Sequence, residues 1–321
     1  MHRQPDMTRW QGRVDFAEGE LGKRWHQIVK PLDQAEDVSG VALIGFACDA
    51  GVIRNHGRPG AKDGPAALRA MLGNMPVHRC TSIADAGDIE CSAQGENDGL
   101  EAAQQELAEV IADSLARGKL PLVMGGGHEM AYGSFSGLAR HLAVHEENPR
   151  IGIINLDAHF DLRKDDRATS GTPFRQIAED CTAHRRPFRY CCLGISEFGN
   201  TQALFERARA LSVQWMRDED MHIGNLARVQ DMLTAFISDV DHVYFTICLD
   251  ALPAATAPGV SAPAARGIPL EVIEPVIDLI GTSGKLRIAD IAELNPSRDI
   301  DLRTARVAAR LLARIAERAN A

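Results

Sequence analysis

Short apolar runs alternate along this chain with longer stretches whose apolar positions recur at helical spacing. The runs at 41–47, 120–124, 150–156, 189–194, 212–216, 242–249 and 285–291 have strand length and are apolar on both faces, the pattern of strands buried within a parallel sheet. Between them, Gly64–Leu72 reads as a helix with Pro65 in its first turn, and Leu100 to Arg117 as a longer helix stopped by Gly118. Near the end, Leu302 to Ala316 sets an arginine every three or four residues opposite an Ala/Leu/Val face, which predicts an amphipathic helix packed on the sheet. Strands alternating with helices predict the α/β class: a single-domain, three-layer parallel sheet flanked by helices. No repeat, low-complexity tract or linker interrupts residues 40–321, while residues 1–39 read as an N-terminal extension with no legible pattern.

Composition narrows the functional classes without naming one. A chain of 321 residues with 45% apolar content can bury a large core. A net charge of -9 with no basic stripe argues against nucleic acid as a partner, and no apolar run approaches the length of a membrane span. Seven cysteines, odd in number and without metal-finger spacing, together with the lack of a signal-peptide pattern, predict reduced thiols in a soluble, cytoplasmic protein.

Candidate chemistry gathers where apolar runs end. After Ile151-Gly-Ile-Ile154 comes Asn155-Leu-Asp-Ala-His-Phe-Asp161; in an extended backbone alternate side chains share a face, so Asp157, His159 and Asp161 would converge. Taken alone, the same spacing also fits a capping Asp beside a hydrogen-bonded His. Oxygen donors with imidazole suit Mn2+, Mg2+ or Fe2+ better than a structural zinc cage. The run 119–124 leads into Gly125-Gly-Gly-His128, whose glycines permit a sharp turn, and the run from His242 ends in Cys248-Leu-Asp250. In an open parallel sheet, the crevice beyond the carboxyl ends of the strands is where ligands bind.

These three segments together resemble the ureohydrolase family of arginases and agmatinases, which carries G-G-x-H, D-A-H-x-D and S/T-x-D-x-D followed by A-P-G in that order. Here they stand as Gly125 to His128, Asp157 to Asp161, and Thr246 to Asp250 with Ala257-Pro-Gly259. The segments at 170–176, 193–201, 257–267 and 290–296 are most similar to the branch that hydrolyses N-formimidoyl-L-glutamate in histidine degradation. The resemblance implies an arginase-like fold, a small-molecule substrate, a homo-oligomer (trimer or hexamer) and two Mn2+ per subunit. It implies that His128, Asp157 and Asp161 hold one cation and Asp157, His159 and Asp250 the other, with position 248 shared. A hydroxide shared by the cations would attack the formimidoyl carbon to give formamide and glutamate, with His128 and Asp161 catalytic and Asp161 passing the proton. Two other readings stand beside it: a guanidino-acid or agmatine-type ureohydrolase that releases urea, and a metal-poor pseudoenzyme with a binding role.

The last reading is motivated by Cys248, which stands where the family has a bridging Asp. A thiol is softer than a carboxylate and leaves paired cations one negative charge short, so a weakened second metal site is expected. For a substrate with two carboxylates, arginine is the best-shaped partner, and Arg54, Arg58, Arg163, Arg175 and Arg266 are the loop candidates, with Thr172 and Asn200 as neutral donors. Phe174 stands where arginase has a proton-shuttling His, and Val272, beside Glu271, where guanidine-processing members have a Glu. Glu129 reads as a first-turn acid of a helix.

Overall fold

A computed structural model describes residues 1–36, 39–93 and 97–319. The strands, in chain order, are β1 (His2–Arg3), β2 (Lys30–Pro31), β3 (Gly40–Ala47), β4 (Ile83–Glu90), β5 (Lys119–Gly125), β6 (Ile151–Leu156), β7 (Arg189–Ile195), β8 (Gln214–Arg217), β9 (His242–Cys248) and β10 (Leu286–Ala292). They form one sheet in the order β1-β4-β3-β5-β10-β9-β6-β7-β8, with β2 also on β4. Only β1 runs antiparallel; the other pairings are parallel. The flanking helices are α1 (Ala50–Arg54), α2 (Gly64–Leu72), α3 (Leu100–Ala116), α4 (Met130–Leu142), α5 (Pro173–Ala183), α6 (Gln202–Ala210), α7 (Leu226–Ser238), α8 (Leu270–Gly281) and α9 (Arg303–Ala319).

Two apolar clusters define the three layers. Leu43, Leu122, Phe245 and Ile291 pack with the buried faces of α2, α7, α8 and α9. Ile44, Val123, Tyr244 and Ile288 point the other way and pack with α3, α4, α5 and α6. Because successive strand residues alternate faces, each strand of the sheet's centre must be apolar throughout, which is why its pattern is a continuous run.

The sequence pattern misses β4, Ile83-Ala-Asp-Ala-Gly-Asp-Ile-Glu90, because three of its residues are acids. Asp85, fully buried, takes a two-point ion pair from Arg69 of α2 (2.8 and 2.9 Å) and a hydrogen bond from the Trp10 indole (2.8 Å). Asp88 takes the remaining Arg69 Nη1 at 2.6 Å. The described residues before 37 also belong to the folded unit: β1 and β2 both lie on β4, and Trp10 and Trp25 are buried in the core. One expectation about the thiols is corrected. Cys48 and Cys91, each the first residue after β3 and β4 respectively and with Cα atoms 5.4 Å apart, form a disulfide; Cys80, Cys181, Cys191, Cys192 and Cys248 are free.

Candidate metal centre

The ends of four adjacent strands, β5, β10, β9 and β6, meet at one crevice in the middle of the sheet. From β5 the chain turns through Gly126 and Gly127, whose N–H groups bond to the carbonyls of Phe46 and Cys48. A Cβ at Gly126 would lie 2.1 Å from the Cys48 oxygen, so no other residue fits this close approach. The turn delivers His128, which is buried.

The D-x-H-x-D segment supplies the expected side chains by a different route from the one its spacing suggests. β6 ends at Leu156, so Asp157 to Asp161 form a loop rather than an extended strand. Asp157 Oδ1 accepts the His159 backbone N–H at 2.7 Å and Oδ2 accepts an Asn155 amide at 3.1 Å, which closes the turn. Asp161 has φ of 48°, a left-handed conformation uncommon for a non-glycine residue, and this brings its carboxylate back to His128.

His128 Nδ1 lies 3.0 Å from Asp157 Oδ2 and 3.0 Å from Asp161 Oδ2, yet it is aligned for a hydrogen bond with neither. Its Nε2 faces the Thr246 hydroxyl at 3.0 Å. His159 Nδ1 lies 3.1 Å from Asp250 Oδ2 and 3.6 Å from Asp157 Oδ1. Two triads result, His128/Asp157/Cys248 and Asp157/His159/Asp250, each with its ligand atoms within 4.8 Å of one another; Asp157 belongs to both.

Glu293, just past β10, is a site residue that the sequence reading overlooks. It is buried with φ of 71°, and its Oε1 accepts the His128 backbone N–H at 3.1 Å while Oε2 has no partner. The signal was available, since Glu293 follows an apolar run as Asp157 and Asp250 do. Val272, by contrast, is core on α8, so the region around Glu271 and Val272 supplies no acid to the crevice. Glu129 caps the start of α4 and is fully buried there: its Oε1 takes the Gly51 N–H at 2.8 Å, and burial pushes it up to about 7.

Buried negative charge dominates the crevice. Burial, and then the charge of Asp157, pushes Asp161 up to about 6. Burial, Glu129 and Asp250 raise Glu293 well above the carboxylate range. Burial followed by Asp157, Asp250, Glu293 and Asp161 raises the Cys248 thiol well above its ordinary value. Burial also works against ionised Asp157, but His128 and His159 hold it below the usual range. Asp250 Oδ1, Glu293 Oε2 and His128 Nδ1 are buried without hydrogen-bond partners. Unpaired buried donors and acceptors of this kind are costly unless a cation completes them. The set of carboxylates and imidazoles fits two divalent cations of the Mn2+ type, with Cys248 the one soft donor.

A cavity of about 290 Å3 opens onto this cluster, lined by His128, His159, Asp161, Cys248, Asp250 and Glu293, and farther out by Asn55, His56, Arg58, Arg163, Ser170 and Ser261. A larger groove of about 680 Å3 lies between Trp25, the 75–79 loop and α9, but it contains none of the converging ligands. Of the five candidate arginines, Arg58 and Arg163 line the cavity. Arg58 is tied to the carbonyls of Val260 and Ser261. The Arg163 guanidinium has no partner among the described residues, and its stem packs on Gly171. Arg54 is occupied by Asp98, Glu101 and the Ala168 carbonyl. Arg175 grips the carbonyls of Arg163 and Asp165, and Arg266 reaches only the Glu219 carbonyl; neither lines the cavity. Thr172 and Asn200 are buried supports rather than lining residues: the Thr172 hydroxyl bonds within its own turn, and Asn200 clamps the backbone at Ala158 and Phe160. Phe174 packs nearly perpendicular to the His128 ring, with centroids 5.4 Å apart, and stacks on Tyr190 at 4.5 Å, so it walls His128 rather than lining the cavity.

An α/β sheet whose central strand ends present paired, carboxylate-rich cation sites is the architecture of the metal-dependent ureohydrolases. Residues 39–317 match the Arginase family, and the chain belongs to it. It is 61% identical over 319 residues to the formimidoylglutamase of Ralstonia nicotianae, covering 99% of this chain and 97% of that protein. It is 56% identical to the formimidoylglutamase of Aeromonas hydrophila, covering 96% of each. Among solved structures it resembles Trypanosoma cruzi formiminoglutamase with Mn2+ (27% identity, TM-score 0.75, 89% of this chain and 95% of that one). The formimidoylglutamase of Bacillus subtilis shares the fold, with a TM-score of 0.81 over 96% of this chain and 94% of that one, at 20% identity. No helix among the described residues is long and apolar enough to cross a membrane.

Proposed function

We propose that this chain hydrolyses N-formimidoyl-L-glutamate to L-glutamate and formamide, as a cytoplasmic homo-oligomer acting in histidine degradation. The observation that carries the reading is a single cavity with cation ligands at its buried end and the unpartnered Arg163 farther out. High identity to formimidoylglutamases over almost the whole chain supports the same substrate.

His128, Asp157, Asp161, His159 and Asp250 would hold two Mn2+, which supply an activated water when bound. Glu293, fixed by the His128 N–H, has its second oxygen open to accept an N–H of the formimidoyl group. Arg163, assisted by Arg58, takes a substrate carboxylate, and Arg175 holds the Arg163 loop in place. Water adds its oxygen to the formimidoyl carbon, the bond from that carbon to the glutamate nitrogen breaks, and the nitrogen leaves with a proton. Asp161, on the cavity wall beside His128, would deliver it. With Mn2+, the position beside Cys248 is the weaker of the two.

The test is product analysis after loading with Mn2+. Formamide and glutamate from N-formimidoyl-L-glutamate, with poor turnover of agmatine, are expected. Release of urea from agmatine at a comparable rate would refute the assignment.

A further inference from the structure

Cys248 stands at a position where the other donors are carboxylate oxygens and imidazole nitrogens, and its surroundings say what it does there. The thiol is 2% exposed and is not part of a disulfide. Its sulfur lies within 4.8 Å of ligand atoms of His128 and Asp157. The strand fixes the placement: Cys248 is the last residue of β9, paired in register with Ala292 of β10. An independent sign that this point receives a cation comes from His128. Its Nδ1, on a side chain only 1% exposed, approaches two carboxylates at 3.0 Å without aligning on either, so the donors converge on a common point rather than on one another. A structural cysteine is expected instead among apolar side chains. Cys191 is such a case, in the apolar core with burial as the one influence on its thiol.

We propose that Cys248 is a sulfur ligand of the cation held by His128 and Asp157, and that this makes the two metal positions chemically unequal. The position with Asp157, His159 and Asp250 keeps oxygen and imidazole donors and accepts Mn2+. The position with His128, Asp157 and Cys248 prefers a borderline or thiophilic dication such as Co2+, Fe2+ or Zn2+, because thiolate binds these far better than Mn2+. The thiol loses its proton to solvent as the cation binds, which restores the negative charge that an Asp would have carried. The resting enzyme is therefore a mixed-metal centre when both kinds of cation are available. This inference rests on the two-cation reading of the site.

Cobalt reports sulfur ligation directly. Full-length protein stripped of metal and titrated with Co2+ should develop a near-ultraviolet sulfur-to-cobalt charge-transfer band that saturates at about one Co2+ per chain. Cys248→Ser should lose that band while still binding Co2+ at the other position, and a melting curve close to that of the parent would show that it is folded. Cys248→Asp should also lack the band, and after exposure to equal Mn2+ and Zn2+ its retained Mn2+:Zn2+ ratio should rise by ~10-fold or more over the parent. Two Co2+ bound without the band, a band that survives in Cys248→Ser, or an unchanged metal ratio in Cys248→Asp would overturn the proposal. Substrate turnover with Mn2+ but no band would sink this inference alone; a band without turnover would sink the substrate assignment alone.

Discussion

Arg163 offers the most direct test of how the cavity selects its substrate. Its guanidinium meets no acid or carbonyl among the described residues, while its backbone is held from both sides: its N–H bonds to the Gly171 carbonyl at 2.8 Å and its carbonyl accepts Arg175 Nε at 2.7 Å. The side chain is thus positioned without being neutralised. A charge-assisted hydrogen bond to a substrate carboxylate contributes about 1.5–3 kcal/mol. Arg163 is exposed, so solvent screening moves the expectation toward ~1.5 kcal/mol. That is roughly a 10-fold loss of kcat/KM for Arg163→Ala with N-formimidoyl-L-glutamate. The loss should fall mainly on KM, since a carboxylate remote from the reacting carbon is bound similarly in ground and transition states. Steady-state kinetics at saturating Mn2+, with metal content measured in parallel, reads this. Arg266→Ala is the control, expected to match the parent because Arg266 does not line the cavity. An unchanged kcat/KM in Arg163→Ala, or a loss carried by kcat with KM constant, would refute the argument.

Other perturbations follow from the same geometry. Asp157→Ala removes the ligand common to both triads and should abolish hydrolysis and at least one bound metal, read by metal analysis; an active, fully metallated variant would rule the assignment out. Arg69→Ala strands the buried carboxylate of Asp85, and since Trp10 and Gly87 still donate to it, the cost should be near the low end of the 3–5 kcal/mol for a broken buried pair, about 3 kcal/mol by urea unfolding; a change below ~1 kcal/mol would contradict the pairing. Burial raises Glu129 to about 7 from 4.5, so its contribution to stability is fully present below the unfolded value and is lost as pH rises through about 7. Metal-free protein should then melt at a lower temperature at pH 8 than at pH 5, and Glu129→Gln should flatten that dependence; identical slopes for both proteins would count against it.

The sheet was largely legible because its central strands are buried on both faces and so read as unbroken apolar runs. β4 escaped because burying Asp85 and Asp88 depends on Arg69, which lies in another element and leaves no local trace. The candidate ligands do converge, but the sequence reached them through a false geometric step. Side chains at i and i+2 share a face only in a strand, whereas Asp157 and Asp161 converge through a loop with a left-handed residue. Arg54, Arg175 and Arg266 could not be separated from Arg58 and Arg163 in sequence, because what divides them is placement on the cavity wall, which the folded loops decide: Arg54 is drawn to Asp98 and Glu101, and Arg175 to Glu179 and the carbonyls of its own loop. The Cys48–Cys91 pairing, 43 residues apart, likewise depends on the neighbouring ends of β3 and β4.

The placement of β1 and β2 has a bearing on how the chain is handled. Without them β4 would be the rim of the sheet, with its outer N–H and C=O groups open to any extended peptide. The match to the family begins at residue 39, and a shortened version starting there would look complete. It would nevertheless lose the two short segments that cover this rim, together with the Trp10 indole that helps neutralise Asp85. Trimmed protein should therefore clump edge to edge at concentrations where the full chain stays dispersed, even though every candidate metal ligand is still present.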